Sequence, residues 1–264
     1  MNDTQSKPAE EKPPFVKHKK EKHKSGWGEF LKTMIWALAI ALLIRSLLFQ
    51  PFNIPSSSMK PTLLIGDYLF VSKFSYGYSR HSFPFSPPIF DGRSSANAPK
   101  RGDVVVFKLP YDNRTDFIKR VIGLPGDTIS VRNGQVILNN QPIKKERVAD
   151  FVEKDAAGNE HHIPRYRETL PSGHSYMVLD AVANGPADNV GEYIVPEGHY
   201  FMMGDNRDNS SDSRMLGYVG YVPHENLVGP ALVLFFSFDA HSRFYQIWRW
   251  PTAIRYNRLF ELIE

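Results

Sequence analysis

The sequence contains no cysteine among its 264 residues. It therefore forms no disulfide, and it has neither a thiolate nucleophile nor a cysteine-ligated metal site. No H-E-x-x-H zinc pattern occurs, and the acidic stretch "MGDNRDNSSDSR" does not follow the spacing of an EF-hand calcium loop. We therefore expect no metal and no cofactor. The nine histidines follow no pattern, although a Ser/His/Asp triad stays open because its members need only meet in space.

Excess positive charge is scarce beyond the first 32 residues. The formal charge is +4, and residues 1–32 hold eight lysines and five acids. Residues 1–29 also contain three prolines and few apolar groups, so we predict a disordered basic tail. A lysine-rich segment directly before an apolar run is typical of a cytoplasmic flank. We therefore assign this charge to membrane topology and expect no nucleic acid partner.

Long hydrophobic runs are limited to one, "FLKTMIWALAIALLIRSLLF". It predicts a transmembrane anchor over residues 30–50, with Lys32 and Arg45 near its ends reaching the headgroups. The following "LLFQPFNIP" has no small-x-small cleavage site, which favours a retained anchor over a cleaved signal peptide. The lysine-rich side then stays cytoplasmic, and residues from 51 onward are exoplasmic.

Beyond the anchor, apolar residues recur with period two in short runs, which predicts a mainly β fold. Asn133-Gly134 between two such runs predicts a type I′ hairpin. We predict an exoplasmic β domain over residues 51–245, with a long loop at 80–100 and an inserted subdomain at about 144–198. Residues 246–264 combine aromatic residues with arginines and are expected to form an amphipathic segment.

The stretch "IPSSSMKPTL" places three serines between two prolines, which fits either a linker or an active site. A serine hydroxyl is a poor nucleophile until a base takes its proton. The strand "DFIKRVIGLPGD" offers one, because alternation sets Lys119 between Phe117 and Val121 on one face. Desolvation there would lower the pKa of Lys119 and leave a neutral amine able to act as a general base. The alternative is an edge-strand lysine whose amine reaches solvent.

Three segments, in this order, resemble the motifs of bacterial signal peptidase I: "QPFNIPSSSMKPTLLIGD", then "KRGDVVVFK" with "FIKRVIGLPGD", then "MMGDNRDNSSDSR". The resemblance covers most of residues 30–236. It implies an all-β catalytic core with a smaller inserted β domain and a Ser/Lys dyad. Ser58 would be the nucleophile and Lys119 its base, with the Ser58 N–H and the Ser56 hydroxyl as oxyanion hole. Ser57 would be dispensable.

The same resemblance assigns further site residues. Ser210 would orient the lysine amine, and Asp212 would form an ion pair with Arg214. The loop around them would be shaped by Gly204, Asp205, Asn206 and Asn209. The pockets for small side chains at substrate positions −1 and −3 would be lined by Phe52, Ile54, Met59, Leu63, Val106, Phe117 and Ile118.

The implied activity is cleavage of signal peptides from exported preproteins after Ala-x-Ala sites by a single-pass enzyme of the inner membrane. Its catalytic domain would face the periplasm, in contact with the lipid bilayer and near the secretion translocon. Two other interpretations stay open. One is a LexA-like self-cleaving Ser/Lys protease, which the anchor and the missing helix-turn-helix disfavour. The other is a non-enzymatic, membrane-anchored β interaction protein in which the serines form a linker.

Overall fold

The computed structural model describes residues 26–84, 86–88, 91–94, 97–155, 157–239 and 250–263. The predicted disordered tail therefore lies outside the described residues except for its last four positions, as do residues 246–249 and 264 of the predicted C-terminal segment. The chain divides into two compact units at Ile40/Ala41, and the second unit carries all the strands.

One long helix, α1, runs from Trp27 to Leu47 and has no buried residue. Its 21 residues rise about 31 Å, so it is long and apolar enough to cross a membrane. It begins and ends three residues earlier than the predicted anchor, and its end is set by strand β1 (Phe49–Asn53), which starts two residues later. A second helix, α2, spans only Trp250–Ala253, so the described part of the C-terminal segment forms short turns that pair with the last strand.

The predicted mainly β fold is confirmed. The largest sheet has seven antiparallel strands, and its order is β1 (Phe49–Asn53), β2 (Asp67–Ser72), β16 (Leu227–Ser237), β3 (Val104–Lys108), β4 (Asp116–Gly123), β14 (His199–Met203) and β15 (Val222–Pro223). The strand that carries Lys119, β4, therefore lies inside this sheet between β3 and β14. The edge-strand interpretation of Lys119 is wrong for this reason.

The remaining strands form three smaller antiparallel sheets. These are β13 (Val190–Ile194), β5 (Thr128–Arg132), β6 (Gln135–Leu138) and β7 (Gln141–Pro142); β12 (Ser175–Leu179), β11 (Arg165–Thr169) and β8 (Lys144–Arg147); and β10 (Glu160–Ile163) with β9 (Phe151–Lys154). The predicted hairpin at Asn133-Gly134 is confirmed, since Arg132 pairs with Gln135 and both turn residues have positive φ. Residues 144–179 form two sheets of their own. β13 also belongs to the predicted insertion, but it pairs with β5, which lies outside the insertion.

The apolar faces of the strands bury three clusters of side chains. One lies under the serine segment and includes Ile54, Met59, Leu63 and Val106. A second packs β4 and β14 against the four-stranded sheet, and the third lies around Phe107 and Tyr200. The catalytic candidates sit where the first cluster meets the interior strand β4, which gives them a rigid support.

Candidate active site

The serine segment leaves β1 and turns sharply before β2. Ile54 holds the base of this turn through two backbone bonds, donating to the Asp67 carbonyl at 2.8 Å and accepting from the Gly66 N–H at 3.0 Å. Met59 and Leu63 follow Ser58 and pack into the core. The turn therefore has apolar anchors on both sides, and Ser58 lies at its head with only 9% of its surface exposed.

Ser58 and Lys119 are brought together across the molecule. The Lys119 Nζ lies 2.5 Å from the Ser58 Oγ, and Lys119 is 3% exposed. Burial lowers the pKa of Lys119 to about 8; Asp212 and Asp205 oppose this shift, and Arg214 adds to it. Because the amine is in contact with the hydroxyl, its neutral form can accept the serine proton.

The predicted oxyanion donors lie beside the nucleophile. The Ser56 Oγ is 3.4 Å from the Ser58 Oγ. In the described part of the chain, the Ser58 backbone N–H donates to no protein group, whereas the Ser58 carbonyl accepts from the Asn206 N–H at 3.0 Å. A free N–H and a nearby hydroxyl are the groups that a developing oxyanion needs.

The loop that follows β14 holds the serine turn in place. Asn206 Nδ2 donates to the Ser57 carbonyl at 3.1 Å, and Asn209 Nδ2 donates to the Ser57 Oγ at 2.7 Å. Gly204 permits this close approach, because a Cβ there would lie 2.6 Å from the Ser58 carbonyl oxygen and 2.2 Å from the Ser210 Oγ. The three serines therefore have different environments.

Asp212 and Arg214 form a buried ion pair beside Lys119. The Arg214 Nε and Nη2 donate to the two Asp212 oxygens, each at 2.9 Å, and the Gly204 N–H donates to Asp212 at 3.0 Å. Burial alone would raise the pKa of Asp212, but the Arg214 guanidinium holds it below its usual value. Asp212 is therefore charged at neutral pH and acts on the electrostatics of the lysine.

Ser210 lies on the wall of the site but makes no hydrogen bond to the amine of Lys119. Its Oγ is buried and forms no hydrogen bond of normal geometry with the described residues, although it helps to lower the pKa of Asp212. Ser210 follows a short 3₁₀ turn, Arg207–Asn209, in an extended conformation with φ −138°. The predicted orientation of Lys119 by Ser210 is thus not seen in this structure and stays a prediction.

Sequence reasoning missed a second layer of charged side chains. Arg120, next to Lys119, donates to Asp205 at 2.8 and 2.9 Å, and Thr62 donates to the same carboxylate at 2.6 Å. Arg207 forms a bidentate pair with Glu168 of β11 at 2.6 and 2.5 Å. The arginines of "KR" and "DNRDNSSDSR" could have indicated buried ion pairs. Glu168 in β11, the partner of Arg207, could not be predicted, because it is distant in the sequence.

A groove of about 650 Å³ leads to Ser58. Five predicted pocket residues line it: Phe52, Ile54, Val106, Phe117 and Ile118. Met59 and Leu63 were predicted with them but do not reach the groove, since they are 1% and 0% exposed and belong to the core beneath it. Asp116, Asp208 and Met215 also line the groove and were not predicted.

A mainly β domain with a serine hydroxyl against a buried lysine, at the head of an apolar groove, defines a serine peptidase as the class of protein. The family model described as signal peptidase, peptidase S26, matches residues 27–236. The chain therefore belongs to the signal peptidase I family of serine endopeptidases.

Two relatives agree with this assignment, and one solved structure is similar in part. A signal peptidase I from Rickettsia massiliae is 37% identical over 254 residues, which cover 90% of this chain and 92% of that protein. A signal peptidase I from Rickettsia typhi is 41% identical over 210 residues, which cover 76% of this chain and 77% of that protein. A crystal structure of a signal peptidase I from Enterococcus faecalis aligns with 50% of this chain and 96% of its own, at 27% identity and a TM-score of 0.29. The family model and the two relatives show that the non-enzymatic interpretation of the β domain is wrong.

Proposed function

We propose that this protein is a membrane-anchored endopeptidase that removes signal peptides from exported preproteins after small-x-small sites, with Ser58 as nucleophile and Lys119 as general base. The observation that carries the proposal is the 2.5 Å approach of the Lys119 amine to the Ser58 hydroxyl in a buried position. No histidine is among the residues that line the groove at Ser58. The geometry therefore favours Lys119 as the general base.

In the proposed reaction, neutral Lys119 takes the proton of Ser58 as the Oγ attacks the scissile carbonyl. The oxyanion is stabilised by the Ser58 N–H and the Ser56 hydroxyl. The ammonium of Lys119 then donates its proton to the leaving amine, which breaks the peptide bond and leaves an acyl-enzyme. In deacylation, a water molecule gives a proton to Lys119 as its oxygen attacks the ester carbonyl, and Lys119 then returns this proton to the Ser58 Oγ as the bond between that oxygen and the acyl carbon breaks.

The preference for small residues follows from the groove walls. Phe52, Ile54 and Ile118 already occupy much of the apolar space near Ser58, so small side chains fit beside them and large ones meet steric conflict. Val106 and Phe117 continue this apolar wall. Such a groove excludes large side chains at substrate positions −1 and −3 and does not select the side chain at position −2.

The anchor is α1, which has the length and composition of a membrane span. The lysines that precede it favour a cytoplasmic N-terminus, so the catalytic unit would face the periplasm. This arrangement presents the groove to preproteins as they leave the translocon, with the inner-membrane bilayer alongside.

The test uses the purified full chain in detergent with a preprotein that carries an Ala-x-Ala site. Replacing the −1 alanine by tryptophan is expected to lower kcat/KM at least about 100-fold, since a bulky side chain does not fit. Replacing the −2 residue by tryptophan is the matched control and is expected to cause little change. Mass spectrometry of the products locates the cut, and equal cleavage of all three substrates would contradict the proposed specificity.

A further inference from the structure

A second cavity, of about 820 Å³, lies between the last turn of α1 and the β3–β4 connection. We call it the basic cavity, after the five cationic residues in its lining: Arg45, Lys73, Arg80, Lys108 and Arg114. Two carboxylates, Asp112 and Asp116, also line it. The cavity therefore has an excess of positive charge, and nothing in the proposed peptidase mechanism uses it.

Lys73 is the most unusual member of the basic cavity. It is 2% exposed, and its amine donates to the Ser82 carbonyl, which is neutral. In the described part of the chain it forms no ion pair with a carboxylate. Burial and, to a smaller extent, the charge of Arg45 together lower the pKa of Lys73 to about 8, with a smaller opposing effect of Asp116. A buried ammonium surrounded by other cations is costly unless an anion accompanies it.

The two carboxylates of the basic cavity are already engaged. Asp116 pairs with Lys108 at 2.8 Å, and Asp112 accepts from the Arg114 N–H at 2.9 Å and from Thr115. Arg45, Arg80 and Arg114 form no ion pair with any described residue. Three guanidinium groups and one buried ammonium thus face the same space without a carboxylate partner, and guanidinium groups recognise phosphate well.

The basic cavity adjoins the end of the helix that we propose as the membrane anchor. The Tyr78 hydroxyl donates to the Leu47 carbonyl at 2.8 Å, and the Lys73 N–H donates to the Leu48 carbonyl at 3.0 Å. These bonds fix the helix end to the loop that supplies Lys73 and Arg80. If α1 spans the bilayer, the cavity lies at the depth of the lipid headgroups on the exoplasmic side.

We propose that the basic cavity binds the phosphate of an anionic phospholipid headgroup from the exoplasmic leaflet. This inference rests on the proposed anchoring by α1, which sets the depth of the cavity. Asp116 lines both the basic cavity and the substrate groove, so a bound headgroup would lie beside the groove. The lipid would fix the groove at a defined height above the membrane surface.

The test measures thermal unfolding of the full chain in detergent with three added probes: short-chain phosphatidylglycerol, short-chain phosphatidylcholine and inorganic phosphate. Phosphatidylglycerol is expected to raise Tm by about 3–6 °C at concentrations well above its Kd, and the other two to have little effect. Lys73→Met and Arg45→Gln are expected to weaken phosphatidylglycerol binding at least tenfold. Lys144→Gln, which removes an exposed cation of β8, is the matched control and is expected to bind as wild type does.

The outcomes separate the possible sources of the phosphate. An equal response to inorganic phosphate would overturn the lipid assignment and indicate a soluble phosphate instead. An unchanged response in both cavity variants would overturn the site itself. The shift in Tm is measured independently of cleavage. If wild type and Ser58→Ala respond equally to lipid but wild type cuts no preprotein, the peptidase proposal fails and the lipid site stands. If wild type cuts the preprotein but its Tm does not respond to lipid, the lipid site fails and the peptidase proposal stands.

Discussion

In the proposed mechanism Lys119 is the general base, because it is buried while its amine contacts the Ser58 hydroxyl. Burial is the largest cause of its lowered pKa, and Asp212 is the largest opposing cause. An amine with a pKa of about 8 is partly neutral at physiological pH, whereas an exposed lysine is not. The same residue therefore connects packing, electrostatics and catalysis.

The first prediction concerns pH. Because the neutral form of Lys119 is the base, kcat/KM should rise with pH, with a midpoint near 8. Asp212→Asn removes a charge that raises the pKa of Lys119, so the midpoint should move to lower pH. Cleavage rates of a soluble preprotein between mildly acidic and alkaline pH test both points. A midpoint that stays unchanged in Asp212→Asn would contradict this role of Asp212.

The second prediction concerns stability. Folding lowers the pKa of Lys119 from 10.5 to about 8, so the folded state binds the lysine proton less tightly than the unfolded state. This lowers the free energy of unfolding of wild type by about 3 kcal/mol at neutral pH. Lys119→Met should therefore raise the free energy of unfolding at pH 7 by up to about this amount. Between about pH 8 and 10.5 only the unfolded wild type holds the proton, so wild-type stability rises with pH and the difference shrinks.

Urea unfolding followed by circular dichroism at pH 7 and pH 10 checks this difference. Lys144→Gln, on the exposed part of β8, serves as the control with no expected pH dependence. A Lys119→Met protein that is less stable than wild type at pH 7 would show that the lysine contributes to folding and not only to catalysis.

The third prediction separates the neighbouring serines. Ser56→Ala removes a proposed oxyanion donor and should lower kcat by about 10²- to 10³-fold with little change in KM. Ser57→Ala removes only the bond from Asn209, so most activity should remain. Steady-state kinetics of the two variants provide matched measurements. Comparable losses in both would mean that the turn as a whole, and not one hydroxyl, was disturbed.

At the scale of elements, the insertion is connected to the catalytic loop by buried charges. Glu168 of β11 pairs with Arg207 in the loop after β14, and the Tyr176 hydroxyl of β12 donates to the same carboxylate at 2.9 Å. Arg120 also lies over the Tyr176 ring, 4.2 Å from its centroid. The insertion therefore supports the loop that binds the serine turn through Asn206 and Asn209.

The fourth prediction tests this support. Glu168→Gln leaves the buried Arg207 without its charge partner and should lower the free energy of unfolding by about 3–5 kcal/mol. Glu146→Gln on the neighbouring strand β8 removes an exposed ion pair with Lys144 and should change little. Chemical unfolding of both variants measures the difference. A Glu168→Gln protein as stable as Glu146→Gln would contradict a structural role for the Glu168–Arg207 pair.

Particular elements show how much the sequence could predict. Period-two patterning and Asn133-Gly134 were enough for the strands and one hairpin, because both signals are local. The interior position of β4 was not accessible, because β14, which pairs with its second edge, comes from a distant part of the chain. The resemblance assigned Met59 and Leu63 to the pocket, but both side chains pack into the core, because side-chain direction in a turn depends on the local backbone.

At the scale of the whole molecule, one apolar helix precedes a unit of β sheets. The fifth prediction concerns this arrangement. The full chain should stay in the membrane fraction after alkaline carbonate extraction, because we propose that α1, which is long and apolar enough, spans the bilayer. A chain that begins at residue 51 should be released. Protease added outside spheroplasts should degrade the β unit, and protection of that unit would contradict the proposed orientation.

The central claim is that Ser58 and Lys119 act as one catalytic pair, and parallel cleavage assays test it most directly. Wild type, Ser58→Ala and Lys119→Met are incubated in detergent with a preprotein that carries an Ala-x-Ala site, after circular dichroism has shown that all three are folded. We predict cleavage by wild type and losses of roughly 10³- to 10⁶-fold in both variants, with no further loss in the double variant. Cleavage by Lys119→Met at a rate near wild type would show that another group takes the Ser58 proton and would contradict the account.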